Sequence, residues 1–102
     1  MKIGVAAADQ TLDAQVSERF GRCPWFLIVE SEDMSCTAHR NPAADMPGGA
    51  GPAAVQELIR LGAQVVLAGE FGPKADHALR AANIRFEIAS GPIRDAIANL
   101  KL

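Results

Sequence analysis

The sequence predicts an α/β fold built on a five-stranded mixed sheet in the order 3-2-1-4-5, with strand two antiparallel to the rest. Three observations carry that prediction. Short apolar segments and segments of helical period follow one another as β-β-β-α-β-α-β-α. Three of the five strand segments are apolar on both faces, as strands in the middle of a sheet are, whereas two alternate, as half-covered or edge strands do. Only one strand pair is joined by a tight polar turn, Ser31-Glu32-Asp33, so that pair is an antiparallel hairpin, while helical crossovers make the later strands parallel neighbours.

Each element has its own local reason. Lys2 to Ala7 is short and apolar and gives way to polar residues, so it reads as strand one. Trp25 to Val29 is strand two, apolar on both sides. Strand three runs from about Met34 to His39, with Met34, Cys36 and Ala38 on one face and Ser35, Thr37 and His39 on the other. Val55, Leu58 and Ile59 recur at helical spacing. Val65 to Ala68 is strand four, again apolar on both sides. Ala75, Ala78, Leu79 and Ala82 form a second helical stripe. Ile84, Phe86 and Ile88 alternate with Arg85 and Glu87 in strand five, and Ile93, Ala96, Ile97 and Leu100 form a third helical stripe. Pro52, Pro73 and Pro92 are placed to begin the three helices, and Gly62 and Asn83 to end the first two with a left-handed residue.

Composition narrows the function. The 102 residues suit one domain, 1–102; 49% are hydrophobic and 22% charged, the balance of a globular protein. A net charge of −2, four Phe, one Trp and no Tyr give neither the basic patch nor the stacking surface of a nucleic-acid binder. There is no long apolar run for a membrane span and no signal-peptide pattern near Met1, and the two cysteines read as reduced thiols, so a cytoplasmic location is expected. Without a Cys-x-x-Cys pair, a His-x-x-x-His pair, a nucleophile elbow or a Gly-x-Gly-x-x-Gly loop, neither a structural zinc site nor enzymatic chemistry is indicated.

The predicted sheet order gathers the long connections at one end. The segments Ala8–Pro24 and Asn41–Gly51, together with Gly69–Gly72 and Ser90-Gly91, all lie at the carboxyl ends of strands one, three, four and five or at the start of strand two. Ligands of open α/β sheets favour that edge at the point where the strand order reverses, here between strands one and four. Asp9, Asp13, Ser17, Glu18, Arg19, Arg22, Cys23, Asn41, Asp45, Met46, Glu70 and Lys74 are available there. Pro47-Gly48-Gly49-Ala50-Gly51-Pro52 runs into a helix whose free N–H groups would attract an anion; a plain flexible loop entering a helix is the competing reading. Both long loops are expected to have little to anchor them. Cys23 and Cys36 fall about six residues apart along the hairpin, roughly 20 Å, too far for a disulfide or a shared metal ion. Cys36 reads as a small core residue. Cys23 stands beside Arg22, where a lowered thiol pKa or simple burial are the two alternatives. His39 and His77 read as an edge residue and a solvated helix residue.

Several local patterns coincide: Val16-Ser17-Glu18-Arg19-Phe20-Gly21-Arg22-Cys23-Pro24, Phe26-Leu27-Ile28-Val29, Asn41, Gly49-Ala50-Gly51, and Ala68-Gly69-Glu70-Phe71-Gly72 with Asn83-Ile84. Over nearly its whole length the chain resembles the dinitrogenase iron–molybdenum cofactor biosynthesis family, which includes NifX-type carriers and the carboxyl-terminal domain of NifB. That resemblance implies a ribonuclease H-like three-layer fold and a non-catalytic accessory or carrier protein for an iron–sulfur or iron–molybdenum cluster or its precursor. It further implies a cofactor site at Ser17, Arg19, Gly21, Arg22, Cys23, Asn41, Gly49, Gly51 and Glu70, and cluster-assembly or nitrogenase-related partners for a monomer or weak dimer. The family often has histidine where this chain has Arg19. A guanidinium has no lone pair for a metal, although it can hold an anionic cluster by charge-assisted hydrogen bonds. Cys23 is then the expected metal ligand, and its removal would be expected to remove most binding. The competing functions are a small-anion or nucleotide-binding module using Arg19, Lys74 and the glycine-rich loop, and a protein-interaction or regulatory domain.

Overall fold

The computed structural model describes residues 1–101. Its strands are β1 (Lys2–Ala7), β2 (Trp25–Glu30), β3 (Cys36–Arg40), β4 (Val65–Ala68) and β5 (Arg85–Ile88), and its helices are α1 (Ala50–Leu61), α2 (Pro73–Ala81) and α3 (Ile93–Ala98). The sheet order is β3-β2-β1-β4-β5, with β2 antiparallel to both neighbours and β4 parallel to β1 and β5. Order and directions match the expectation from apolar patterning.

The sheet separates two cores. Ala6, Phe26, Ile28, Val66 and Ala68 point to the side covered by α1 and α2, where Ala54, Val55, Leu58, Ala75 and Leu79 meet them. Ile3, Val5, Leu27, Val29, Val65 and Leu67 point to the other side, against Ile93 and Ile97 of α3 and Val16 of the long loop. Burial on both faces is the reason β1, β2 and β4 read as continuous apolar runs. Gly4 lies under α1: a Cβ there would come within 2.7 Å of Leu58 Cδ2, so the glycine lets the helix settle close to β1.

Boundaries differ from expectation where local geometry intervenes. α1 begins two residues before Pro52, because Gly49, at φ 73°, turns the chain in the left-handed region and its carbonyl accepts the Ala53 N–H at 3.1 Å. The buried stripe therefore includes Ala50 and Ala54, and Ile59 is turned outward, 42% exposed. Gly62 and Asn83 do take left-handed conformations, at φ 82° and 57°, after α1 and α2. Met34 belongs to the hairpin turn rather than to β3, at φ 60°. Ala82 lies past the end of α2 and is exposed, and Leu100 lies past the end of α3. In β5 the alternation fails at its end: Phe86 packs on the α2 side, but Ile88 is 76% exposed beyond the reach of that layer.

Candidate functional site

The Ala8–Pro24 loop is stitched to the sheet and its neighbouring connections rather than loosely hung, which corrects for that loop the expectation that little anchors it. Ser17 bridges the gap between β1 and β4: its N–H donates to the Ala6 carbonyl at 2.7 Å, and its own carbonyl accepts the Gly69 N–H at 2.9 Å. Phe20 N–H donates to the Glu70 carbonyl at 3.1 Å. Residues 15 and 16 make β-bridges to Pro92 and Ala7. Gly69 allows this close passage, since a Cβ there would sit 2.7 Å from Glu18 Cα. The turn that carries Arg19 and Arg22 is thus held over the point where the strand order reverses.

A pocket of about 290 Å³ opens beside that turn. Arg19, Gly21 and Arg22 form one wall, Gly49–Pro52 of α1 a second, and Glu70 with Gly72–Ala75 of α2 a third, with Phe20 below. Phe20 is fixed by Phe26 and Phe71, with ring centroids 5.5 and 5.2 Å away, and Phe71 by Phe86 at 4.9 Å. The first turns of α1 and α2 meet here: a Cβ on Gly51 would lie 3.2 Å from Ala75 Cβ and 3.4 Å from Ala75 N. Neither helix has a side-chain N-cap, and neither Pro52 nor Pro73 has an N–H. The N–H groups of Ala50, Gly51, Lys74 and Ala75 precede the first within-helix bonds, so both positive helix ends face one cavity. Arg19 and Lys74 add exposed cations, and Glu70 is the one lining carboxylate.

Of the nine residues expected at the site, Arg19, Gly21, Arg22, Gly49, Gly51 and Glu70 line this pocket together. Ser17 lines the neighbouring hollow on the α3 side, which shares Arg19 and Arg22 with it. Cys23 and Asn41 lie underneath and reach neither. Cys23 is 1% exposed; its Sγ donates to the Phe20 carbonyl at 3.3 Å, and burial pushes the thiol up to about 12, outweighing the lowering by the Ala7 backbone and the Asn41 amide. Of the two alternatives for Cys23, burial is the one found: desolvation favours the protonated thiol, and the side chain does not line the pocket where a metal ligand was expected. Lys74, expected at this edge and in the anion-binding alternative though not among the nine, completes the site with the start of α2. Their signal was the Gly72-Pro73 step after β4, a helix start delivered to the same edge.

The donor set decides what the pocket can hold. It contains no thiol and no imidazole, and no group of three or more His, Cys, Asp or Glu is placed to share a metal ion among the described residues. Cys23 and Cys36 are both free, and pairing of Val29 with Cys36 puts Cys23 six positions beyond that rung. A cluster ligated by protein thiolates does not fit this arrangement. A compact anion that brings its own ligands does, since backbone N–H groups, guanidinium and ammonium all donate toward one space. At about 290 Å³ the pocket is small beside the ~300–1,000 Å³ of most ligand sites. No helix among the described residues is long and apolar enough to cross a membrane.

Solved structures resemble this one closely. The apo form of the orange protein (ORP) from Desulfovibrio gigas is 37% identical, with a TM-score of 0.90 over 95% of this chain and 83% of its own. A NifB-like protein of the DUF35 family from Thermotoga is 28% identical, with a TM-score of 0.79 over 95% of this chain and 84% of its own. PH0822, 22% identical with a TM-score of 0.81 over 96% and 87% of the two chains, shares the fold. Among curated proteins none matches. The family described as "Dinitrogenase iron-molybdenum cofactor" matches residues 1–101, and the chain belongs to that family.

Proposed function

We propose that this protein is a non-catalytic carrier that binds an iron–molybdenum or iron–sulfur cluster precursor as an intact anion, in the pocket between the Arg19–Arg22 turn and the first turns of α1 and α2. The observation that carries this reading is the convergence of two uncapped helix N-termini with Arg19, Arg22 and Lys74 on one small cavity that has no thiolate or imidazole. Family membership supports this class of cargo. Hydrogen bonds to a charged partner stabilise by about 1.5–3 kcal/mol each, so a few of them hold a multiply charged group without coordinating it. Glu70 contributes an acceptor for a protonated edge of the cargo and limits how much negative charge the pocket takes. Such binding is reversible and suits transfer to cluster-assembly or nitrogenase-related proteins in a reducing, cytoplasmic setting, with which two free cysteines agree.

The same donors would accept phosphate, so the test must compare the two. Anaerobic titration with tetrathiomolybdate, followed by visible absorption, should saturate at one equivalent, and Arg19→Ala and Lys74→Ala should each weaken it by roughly tenfold at low salt. Competition by inorganic phosphate or ATP at equal or lower concentration would favour an anion- or nucleotide-binding module instead. Absence of binding by either class would leave only the protein-interaction reading.

A further inference from the structure

Asn41 is the one buried polar side chain among the described residues, 3% exposed, and it makes more than a local turn. Its Nδ2 donates to the Gly21 carbonyl at 3.1 Å and to the Cys23 carbonyl at 2.9 Å, and its Oδ1 accepts the Ala43 N–H at 2.9 Å. Its own N–H donates to the Pro24 carbonyl at 3.0 Å. One residue thus fixes both sides of the Gly21–Pro24 turn and the start of the 41–49 loop. From above, Arg22 closes the same seam, its Nη1 donating to the carbonyls of Ala44, at 3.2 Å, and Met46.

Gly21 then passes the constraint on. A Cβ at Gly21 would lie 3.1 Å from Gly51 N and 3.3 Å from the Ala50 carbonyl carbon, so its backbone rests directly on the first turn of α1. Moving the Gly21 carbonyl moves the wall that faces the α1 N–H groups and swings Arg22 with it. Resting on the anion-carrier reading above, we infer that Asn41 is a positioning residue: it never meets the cargo, and it sets the spacing between the Arg19–Arg22 turn and the α1 N-terminus on which affinity depends.

Asn41→Ser tests this without adding charge. The serine hydroxyl can keep the turn to Ala43, but the two amide donors are lost. With tetrathiomolybdate as the probe, affinity should fall roughly tenfold at temperatures where the variant is fully folded. In a double-mutant cycle with Arg22→Ala the two losses should combine to less than their product, because both act on one seam. Gly21→Ala, which pushes the turn off α1 while leaving Asn41 in place, should also lower affinity and serves if the Asn41 variant does not fold. Amide exchange is read in the same proteins without any ligand: residues 20–23 should exchange about tenfold faster, with β1 and β4 unchanged. Unaltered affinity in folded Asn41→Ser, multiplicative losses in the cycle, or faster exchange spread through β1 and β4 would overturn the assignment. If the parent itself fails to bind the probe, the carrier reading falls, while the exchange pattern still decides whether Asn41 sets this seam.

Discussion

The rim of the pocket and the layer just beneath it share the 8–24 and 41–49 loops, with the start of α2 added at the rim, yet they are opposite environments. Arg22 and Cys23 are sequence neighbours; the guanidinium reaches the rim, whereas the thiol is buried against the Phe20 carbonyl. Arg19 and Lys74 stand in solvent, free to meet an anion, while Asn41 below spends its amide on main-chain groups. Charge is thus kept where water can screen and exchange it, and neutral hydrogen bonds are kept where an unpaired group would be costly. The division assigns selection of cargo to the rim and maintenance of its shape to the layer beneath.

Alkaline titration should reveal the lower layer most strongly. Cys23 has its thiol raised from 9.0 to about 12 in the folded protein. Below about pH 9 both states hold the proton and stability is unaffected; between 9 and 12 only the unfolded chain loses it, so stability falls as pH rises. The loss approaches about 4 kcal/mol near pH 12. Denaturant unfolding should therefore weaken more steeply above pH 9 in the parent than in Cys23→Ala. Cys36, half-exposed and raised less, should be the only thiol alkylated in the native protein at pH 8. Rapid native labelling of Cys23 would show that the layer beneath is open.

The join between rim and sheet should give the next largest effect. Gly69→Ala places a methyl 2.7 Å from Glu18 Cα and 3.0 Å from its carbonyl oxygen, contacts that no side-chain rotation relieves. A destabilisation of about 1–3 kcal/mol is expected in denaturant unfolding, with displacement of the Ser17–Phe20 segment. A neutral outcome would mean that the turn is not held on β4 as described.

What could be read in the sequence followed from local period and composition. Continuous apolar runs placed β1, β2 and β4 centrally, and that order brought Arg19, Gly49, Gly51 and Glu70 to one edge before any contact was known. What could not be read depends on partners remote in the chain. Asn41 faces inward because carbonyls 18 and 20 residues away await its amide, and Cys23 follows it underneath. Lys74 was legible as a residue of this edge, but its place beside Gly49–Pro52 depends on α2 packing its first turn on Gly51. Ile88 keeps the alternation of a strand but has no helix above it, which periodicity within β5 cannot reveal.

Whether cargo is held by charge from the rim, and not by coordination from beneath, is decided by one pair of titrations. Cys23→Ala and the Arg19→Ala/Lys74→Ala double variant are compared with the parent for tetrathiomolybdate affinity at low and high salt. Cys23→Ala should bind within about threefold of the parent and with the same salt dependence, because a buried neutral thiol donates nothing to the anion. The double variant should lose roughly a hundredfold at low salt and much of its sensitivity to salt. Loss of binding in folded Cys23→Ala, with the double variant little changed, would contradict it and return the sulfur to the role of metal ligand.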